Sequence, residues 1–332
     1  MTVPRTAGPG LEPAREAVAG TAAAFRALLE DGWSPPLPGA GATLTRWRSL
    51  AAVARRGLPL ARLAEGHADA VAVLAELSGP AVPEGARLGV WAAEPPDGQV
   101  VATSTPEGWR LSGRKRWCSG AGTLTAALVT ATAEDGRRLF LVDLGRPGVR
   151  VDPTTWVNAG MAGSDTADVH LLDVPGVPVG GPRGYLDRPG FWHGGIGVAA
   201  VWAGGAQGVA AALTAAAVQR GPDPLRDAAL GAVDVLLAGV DAALRAAAAE
   251  VDTDPLDRTG TAQLRAQRVR ALVARAGAEV LDVVGRTLGA GPLAHDAEHA
   301  ARVADLTVYL RQHHGERDLA ALGALVREQG VR

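Results

Sequence analysis

The sequence predicts an α+β multidomain chain with an N-terminal helical domain over residues 1–84, a middle antiparallel β-barrel domain over 85–180 and a C-terminal four-helix bundle over 181–332. Three observations predict it. Apolar residues recur every three or four positions up to about residue 84. Short runs bounded by Gly, Pro and Asp take over through residue 180. From about Gly195 the long three-and-four seams return. A length of 332 residues also exceeds the usual single domain, so two or three units sharing a core are expected.

In the first zone, Val18, Ala22, Phe25 and Leu29 mark one helix, and Leu60, Leu63, His67, Ala70, Leu74 and Leu77 mark another. Between them, Pro35-Pro36-Leu37-Pro38-Gly39-Ala40-Gly41 is a loop, because proline lacks the amide a helix needs. The middle zone offers strands at Leu88–Ala93, Ala126–Thr132, Leu139–Val142 and Asp168–Leu172, with turns at Gly113 and Asp135-Gly136. In the last zone, Val198–Leu213 is one helix. Leu230, Val233, Leu237, Val240 and Leu244 form the seam of a second, and Val269, Leu272, Ala276, Val280, Val284 and Leu288 that of a third. A fourth is expected to run unbroken from about Ala300 through Leu306 and Leu310 towards Val326.

Composition narrows the function classes. Lys+Arg total 33 against Asp+Glu 35, interspersed, so no basic face points to nucleic acid or an acidic membrane. Cys118 is the single cysteine, which excludes an intramolecular disulfide. The first thirty residues lack the apolar core of a signal peptide, and no run is expected to approach the roughly 20 apolar residues of a membrane helix. The expectation is a soluble, cytoplasmic protein.

Three stretches of the middle zone carry chemistry. Gly108-Trp109-Arg110-Leu111-Ser112-Gly113-Arg114-Lys115-Arg116-Trp117-Cys118-Ser119-Gly120-Ala121 reads as a hairpin ending in an aromatic, a small residue and a hydroxyl. Upstream stands Val90-Trp91-Ala92-Ala93-Glu94-Pro95, and downstream Gly160-Met161-Ala162-Gly163-Ser164-Asp165-Thr166-Ala167-Asp168-Val169. In order and spacing the three resemble the acyl-CoA dehydrogenase family, with Ala93 where a Thr is usual. The order helices, strands, bundle resembles it too. The resemblance spans about residues 45–330 and is strongest over 86–175.

The resemblance implies a flavoprotein carrying FAD, with Trp117 walling the flavin ring and Ser119, Gly120 and Ala93 beside it. These residue types suit such a role, because a flat apolar ring needs an aromatic wall and its polar edge needs donors from a tight strand end. The bland alternative makes Trp117 a core aromatic and Ser119 an ordinary turn residue. In the bundle, Gly289-Ala290-Gly291-Pro292-Leu293 takes the place of the family's glycine-rich turn, with Arg286 three residues earlier. By resemblance this turn approaches the cofactor of a second subunit, so a homodimer or homotetramer is implied. As a Gly-rich helix end it is also simply a C-cap. Arg220 in Arg220-Gly221-Pro222-Asp223-Pro224-Leu225 matches the first residue of the family's Arg-x-x-Phe-Gly stretch, whose Phe-Gly is missing.

The chain departs from the family at its base. Relatives use a Glu in the last helix, or less often on the first bundle helix, to remove the α-proton of an acyl thioester. A gap-free count places His313 at the late position and Val198 near the early one. His313 is therefore the first candidate proton-transfer residue and Glu316, in His313-His314-Gly315-Glu316, the second. A solvated helix end with ion pairs is the competing reading of that cluster. His67 and His193 read as packing residues and Cys118 as a small core residue. His295 and His299 share a spacing that can bind zinc, but no third ligand accompanies them and no metal is expected.

Three functions follow from the resemblance. The chain oxidises an acyl-CoA or carrier-bound acyl thioester at Cα–Cβ with an unspecified electron acceptor; it is a reduced-flavin monooxygenase of the same fold, assisted by a His; or it is the non-catalytic subunit of a hetero-oligomer with a paralogue.

Overall fold

The computed structural model describes residues 11–328 and Gly330, so the first ten residues of the expected N-terminal domain lie outside the described residues. Helices α1 (Leu11–Glu30), α2 (Thr43–Arg56) and α3 (Leu58–Glu76) come first. Gly57 separates α2 from α3, and Pro59 sits in the first turn of α3, where its missing amide costs nothing. The Pro-rich stretch is a loop, tied down where Thr43 Oγ1 accepts from Gly39 N at 2.7 Å and donates to Asp252 at 2.6 Å.

The strands are β1 (Leu88–Trp91), β2 (Val100–Thr105), β3 (Gly108–Cys118), β4 (Ala126–Ala133), β5 (Gly136–Asp143), β6 (Val149–Asp152) and β7 (Ala167–Val179). They run in the order β4, β2, β3, β7, β5, and β5 pairs back onto β4, which closes the barrel; β1 lies beside β4 and β6 beside β7. Closure removes the exposed edges that an open sheet of this size leaves. Strand β7 outruns the expected Asp168–Leu172. Its Asp173, Pro175 and Gly176 look like breakers in sequence, yet β7 passes from β3 to β5 there, and Pro175 and Pro178 stand in paired register.

After the short helix α4 (Gly184–Asp187), α5 (Gly190–Arg220), α6 (Pro224–Thr253), α7 (Ala262–Leu288), α8 (Ala290–His295), α9 (Ala297–Tyr309) and α10 (Glu316–Glu328) complete the chain. Helix α5 corrects one expectation: 31 residues long, with an 18-residue window of mean hydropathy 1.5, it is long and apolar enough to cross a membrane. Its apolar window is 78% buried inside the protein, against α2, α3, α6, α7 and α9, so it is the core helix. Gly204 lets α2 come that close, since a Cβ there would stand 2.3 Å from the carbonyl oxygen of Ala51. One continuous core therefore joins residues from all three expected domains.

The expected unbroken last helix is two helices. Helix α9 ends at Tyr309, one tight turn covers Leu310–Gln312, His313 is extended and Gly315 is left-handed. Asp318, in the first turn of α10, reaches back to accept from His314 N at 3.0 Å. Apolar spacing continues across the break, but the left-handed glycine ends the helix.

Candidate functional site

The site grows from an irregularity in β3. Lys115 pairs with Val169 and Cys118 with Ala167, three steps on β3 against two on β7, which is a bulge. Lys115 and Cys118 point inward and are buried, whereas Trp117 sits at φ +57° with half of its surface exposed. A left-handed tryptophan is strained by roughly 1–2 kcal/mol. Arg116, ion-paired with Asp97 at 2.6 Å, stacks its guanidinium 5.3 Å from the Trp117 ring.

Ser119 follows in a turn pinned from two sides. Trp91 Nε1 donates to its carbonyl at 3.0 Å, Gly120 N donates to Ser164 O at 2.9 Å, and Ala121 N to Asp165 O at 3.0 Å. Gly120 is left-handed, and a Cβ there would meet Leu124 at 2.7 Å. Its amide is spent on Ser164, so Gly120 shapes the turn and offers no donor. The Ser119 hydroxyl accepts from Arg62 Nε at 3.2 Å and is hydrogen-bonded to Thr166 Oγ1 at 3.0 Å, the end of a hydroxyl chain that runs through Ser164 to the Met161 carbonyl.

Arg62 opens a buried ionic cluster that sequence reading missed. Its Nη1 is bonded to Glu65, a carboxylate only 3% exposed, and Tyr309 on α9 donates to the same Glu65 oxygen at 3.4 Å. Asp69, one turn further along α3, pairs with the buried Arg46 at 2.9 Å. Burial pushes the Glu65 carboxyl up to about 7; Arg62 opposes this and Asp69 adds to it. Burial pulls Arg62 down, but Glu65 and Tyr309 outweigh it and hold the guanidinium above its usual value. Tyr309 is raised, by burial and then by Glu65. The signal available in sequence was Arg62, Glu65 and Asp69 on one face of an apolar helix.

Between Arg62, Leu63, Gly66, Gly89, Ser119 and Leu124 only about 10 Å³ of space remains. That is about one water molecule at most. The larger cavity, about 500 Å³, lies between α6, α7 and α10 beside Ala247, Arg265 and Val326, and holds none of the expected site residues.

The other expected residues fall as follows. Ala93 lies just past β1, half-buried. Arg220 is the exposed last residue of α5, Arg286 pairs with Asp282 at 2.9 Å, and Gly289 ends α7 at φ +69°, with Gly291 exposed in α8. Among the described residues, no side-chain hydrogen bond joins Arg220 or Arg286 to the middle domain. His313 lies in the break after α9. Its Nδ1 accepts from Gly315 N at 3.2 Å, and burial lowers its pKa, as do the neighbouring Arg270 and His314 against the pull of Asp318. It reaches Ser119 only indirectly: Arg270 touches Gln312 and stacks on Trp202, Trp202 meets Tyr309 edge-on, and Tyr309 bonds Glu65. Glu316 is exposed at the start of α10. His67 accepts from Leu88 N at 3.2 Å against Phe25, and Cys118 is buried with its thiol pushed up by burial, so both sit as core residues.

A closed barrel between a helical N-terminal part and a helical bundle is the architecture of the acyl-CoA dehydrogenase fold. The family described as acyl-CoA dehydrogenase, middle domain, matches residues 92–174, and beyond those residues the likeness is one of fold. It is similar to FMN-bound TdsC from Paenibacillus sp. A11-2, with 18% identity, a TM-score of 0.76, and 96% of this chain and 98% of that one covered. It is similar to nitrososynthase from Micromonospora carbonacea var. africana, with 19% identity, a TM-score of 0.70 and 97% of each chain covered. It is also similar to butyryl-CoA dehydrogenase from Megasphaera elsdenii, with 18% identity, a TM-score of 0.73, and 94% of this chain and 88% of that one covered. A search of curated protein sequences returned no match.

Proposed function

We propose that the chain is a flavin-dependent oxidoreductase that holds FAD or FMN over Trp117 and Ser119, and that it uses reduced flavin and oxygen in the manner of a monooxygenase. The observation that carries the flavin reading is the bulge. It stands an indole half clear of the barrel beside a hydroxyl and a fixed guanidinium, which suits a flat ring with a polar edge that becomes anionic on reduction. When bound and reduced, a flavin supplies two electrons to dioxygen, one oxygen atom going to the substrate and the other leaving as water.

Two things favour the oxygen-using branch. The space behind Ser119, between Arg62, Leu63, Gly89 and Leu124, is closed down to about 10 Å³, which leaves no channel there for an alkyl chain. His313, in the break after α9, is held below its ordinary pKa by burial, so it stays neutral near pH 7 and can exchange a proton. TdsC, described as a dibenzothiophene monooxygenase, has nearly this chain's extent. The proposed roles are thus Trp117 for stacking, Ser119 for the polar edge, Arg62 for charge and His313 for proton transfer. Arg220, Arg286, Gly289 and Gly291 are proposed to meet the cofactor of a neighbouring copy, which light scattering tests: a strictly monomeric mass at micromolar concentration sinks that part.

A second reading, oxidation of an acyl-CoA or carrier-bound acyl thioester, is favoured by Glu65, a buried carboxyl one residue removed from Ser119 through Arg62. The branches separate cleanly. Anaerobic bleaching of bound flavin by an acyl-CoA supports the second; oxygen consumption with externally reduced flavin and no thioester supports the first. A chain that binds flavin but does neither alone is the partner of a catalytic paralogue.

A further inference from the structure

We propose that Glu65 takes up a proton from solvent whenever the flavin held at Ser119 is reduced, and returns it on reoxidation. The inference rests on the flavin reading and deepens it. Glu65 and Asp168 are the buried carboxylates among the described residues. Asp168 faces two cations, Arg114 and Arg116, which fix it as the anion. Glu65 is bonded to one, Arg62, and that guanidinium is shared: Nη1 holds Glu65 while Nε holds Ser119. Charge gained beyond Ser119 therefore competes with Glu65 for the same cation.

The charge balance sets the direction. Reduction by two electrons from an external donor adds two negative charges, and one proton at the ring cancels one of them. A second proton, taken by the Glu65 carboxylate from water, cancels the other and frees Arg62 to face the ring. A buried site resists a net change of charge, so the second proton follows the electrons.

The groups facing Glu65 leave it as the one that titrates. On its own helix these are Arg62 and Asp69; on α9, Tyr309; on α4, Tyr185; on α7, Arg270; and Arg46 on α2 neutralises Asp69. Both tyrosines are raised and keep their protons, and burial pushes Tyr185 up to about 12. Asp69, one turn along and 20% exposed, leads from Glu65 to solvent. With the carboxyl itself raised to about 7, a modest change in nearby charge moves it across neutrality.

The test is electrochemical. The chain loaded with FAD or FMN is reduced at an electrode, and the slope of its potential against pH gives the protons bound per two electrons. The parent is expected to bind one more proton than Glu65→Gln over an interval around neutrality, and the same number outside it. Tyr309→Phe keeps the ring but removes a donor to the carboxylate, so the interval is expected to move to higher pH; this variant decides the matter if Glu65→Gln does not fold. Identical slopes in the parent and the variants overturn the inference and leave the flavin reading standing. Failure of either flavin to bind the parent overturns the flavin reading first, and this inference with it.

Discussion

Arg62 Nε donates a 3.2 Å hydrogen bond to Ser119 Oγ, joining α3 to the end of β3 across 57 residues of sequence. The same guanidinium holds Glu65, so one side chain connects the strand motif to the buried cluster. Arg62→Met is expected to strand Glu65 without its cation and to destabilise the fold by roughly 3–5 kcal/mol in urea denaturation. Arg62→Met with Glu65→Leu should recover most of that loss, because an apolar pair replaces an ion pair in a site already closed to water. A double variant no more stable than the single one would show that the pair is not one unit.

Glu65 also gives stability a pH signature. Its folded carboxyl is raised from 4.5 to about 7, so between those values the folded state binds more protons than the unfolded state. Its contribution therefore falls as pH rises from about 4.5 through 7 and is constant above. His67, lowered to about 4 by burial, acts in the opposite sense below its ordinary 6.5, so the variant has to be compared with the parent. The difference in unfolding midpoint between Glu65→Gln and the parent is expected to grow in favour of the variant from pH 5 to pH 7. A difference that stays flat over that range contradicts the assignment.

Trp117 trades stability for a site. Trp117→Gly removes the left-handed penalty and is expected to raise stability by about 1 kcal/mol. It should weaken flavin binding roughly tenfold, the loss of about 1.4 kcal/mol of stacking. Thermal unfolding and a flavin titration of the same preparation check both signs; unchanged affinity removes Trp117 from the site.

His313 and Glu316 separate by environment. His313 is packed beside Arg270 and Asp318, whereas Glu316 is exposed in the first turn of α10. Under the proposed chemistry His313→Ala is expected to lower turnover by roughly 10²–10⁴-fold, as for loss of a general acid or base, with Glu316→Ala near the parent. The reverse order would move the proton-transfer role to α10.

The barrel was legible where its strands are bounded by turn residues, as at Asp135-Gly136, whereas the expected turn at Gly113 lies inside β3, and the Trp117–Ser119 motif was legible only through its resemblance to a family pattern. Three features were not. Strand β7 runs through Asp173 and Pro175, where barrel pairing overrides local preference. The last helix breaks at Gly315, where only a positive φ betrays the stop, and this voids a residue count that assumed continuity. Arg62 and Glu65 sit on a helical face that reads as solvated charge until α9 brings Tyr309 over it.

The flavin reading stands on one measurement: titration of the purified chain with FAD and with FMN, oxidised and reduced, followed by absorbance and by quenching of tryptophan fluorescence. It predicts saturable binding of one flavin per chain, tighter for the reduced form, and weakened in Trp117→Gly. A parent chain that binds neither flavin in either redox state contradicts it.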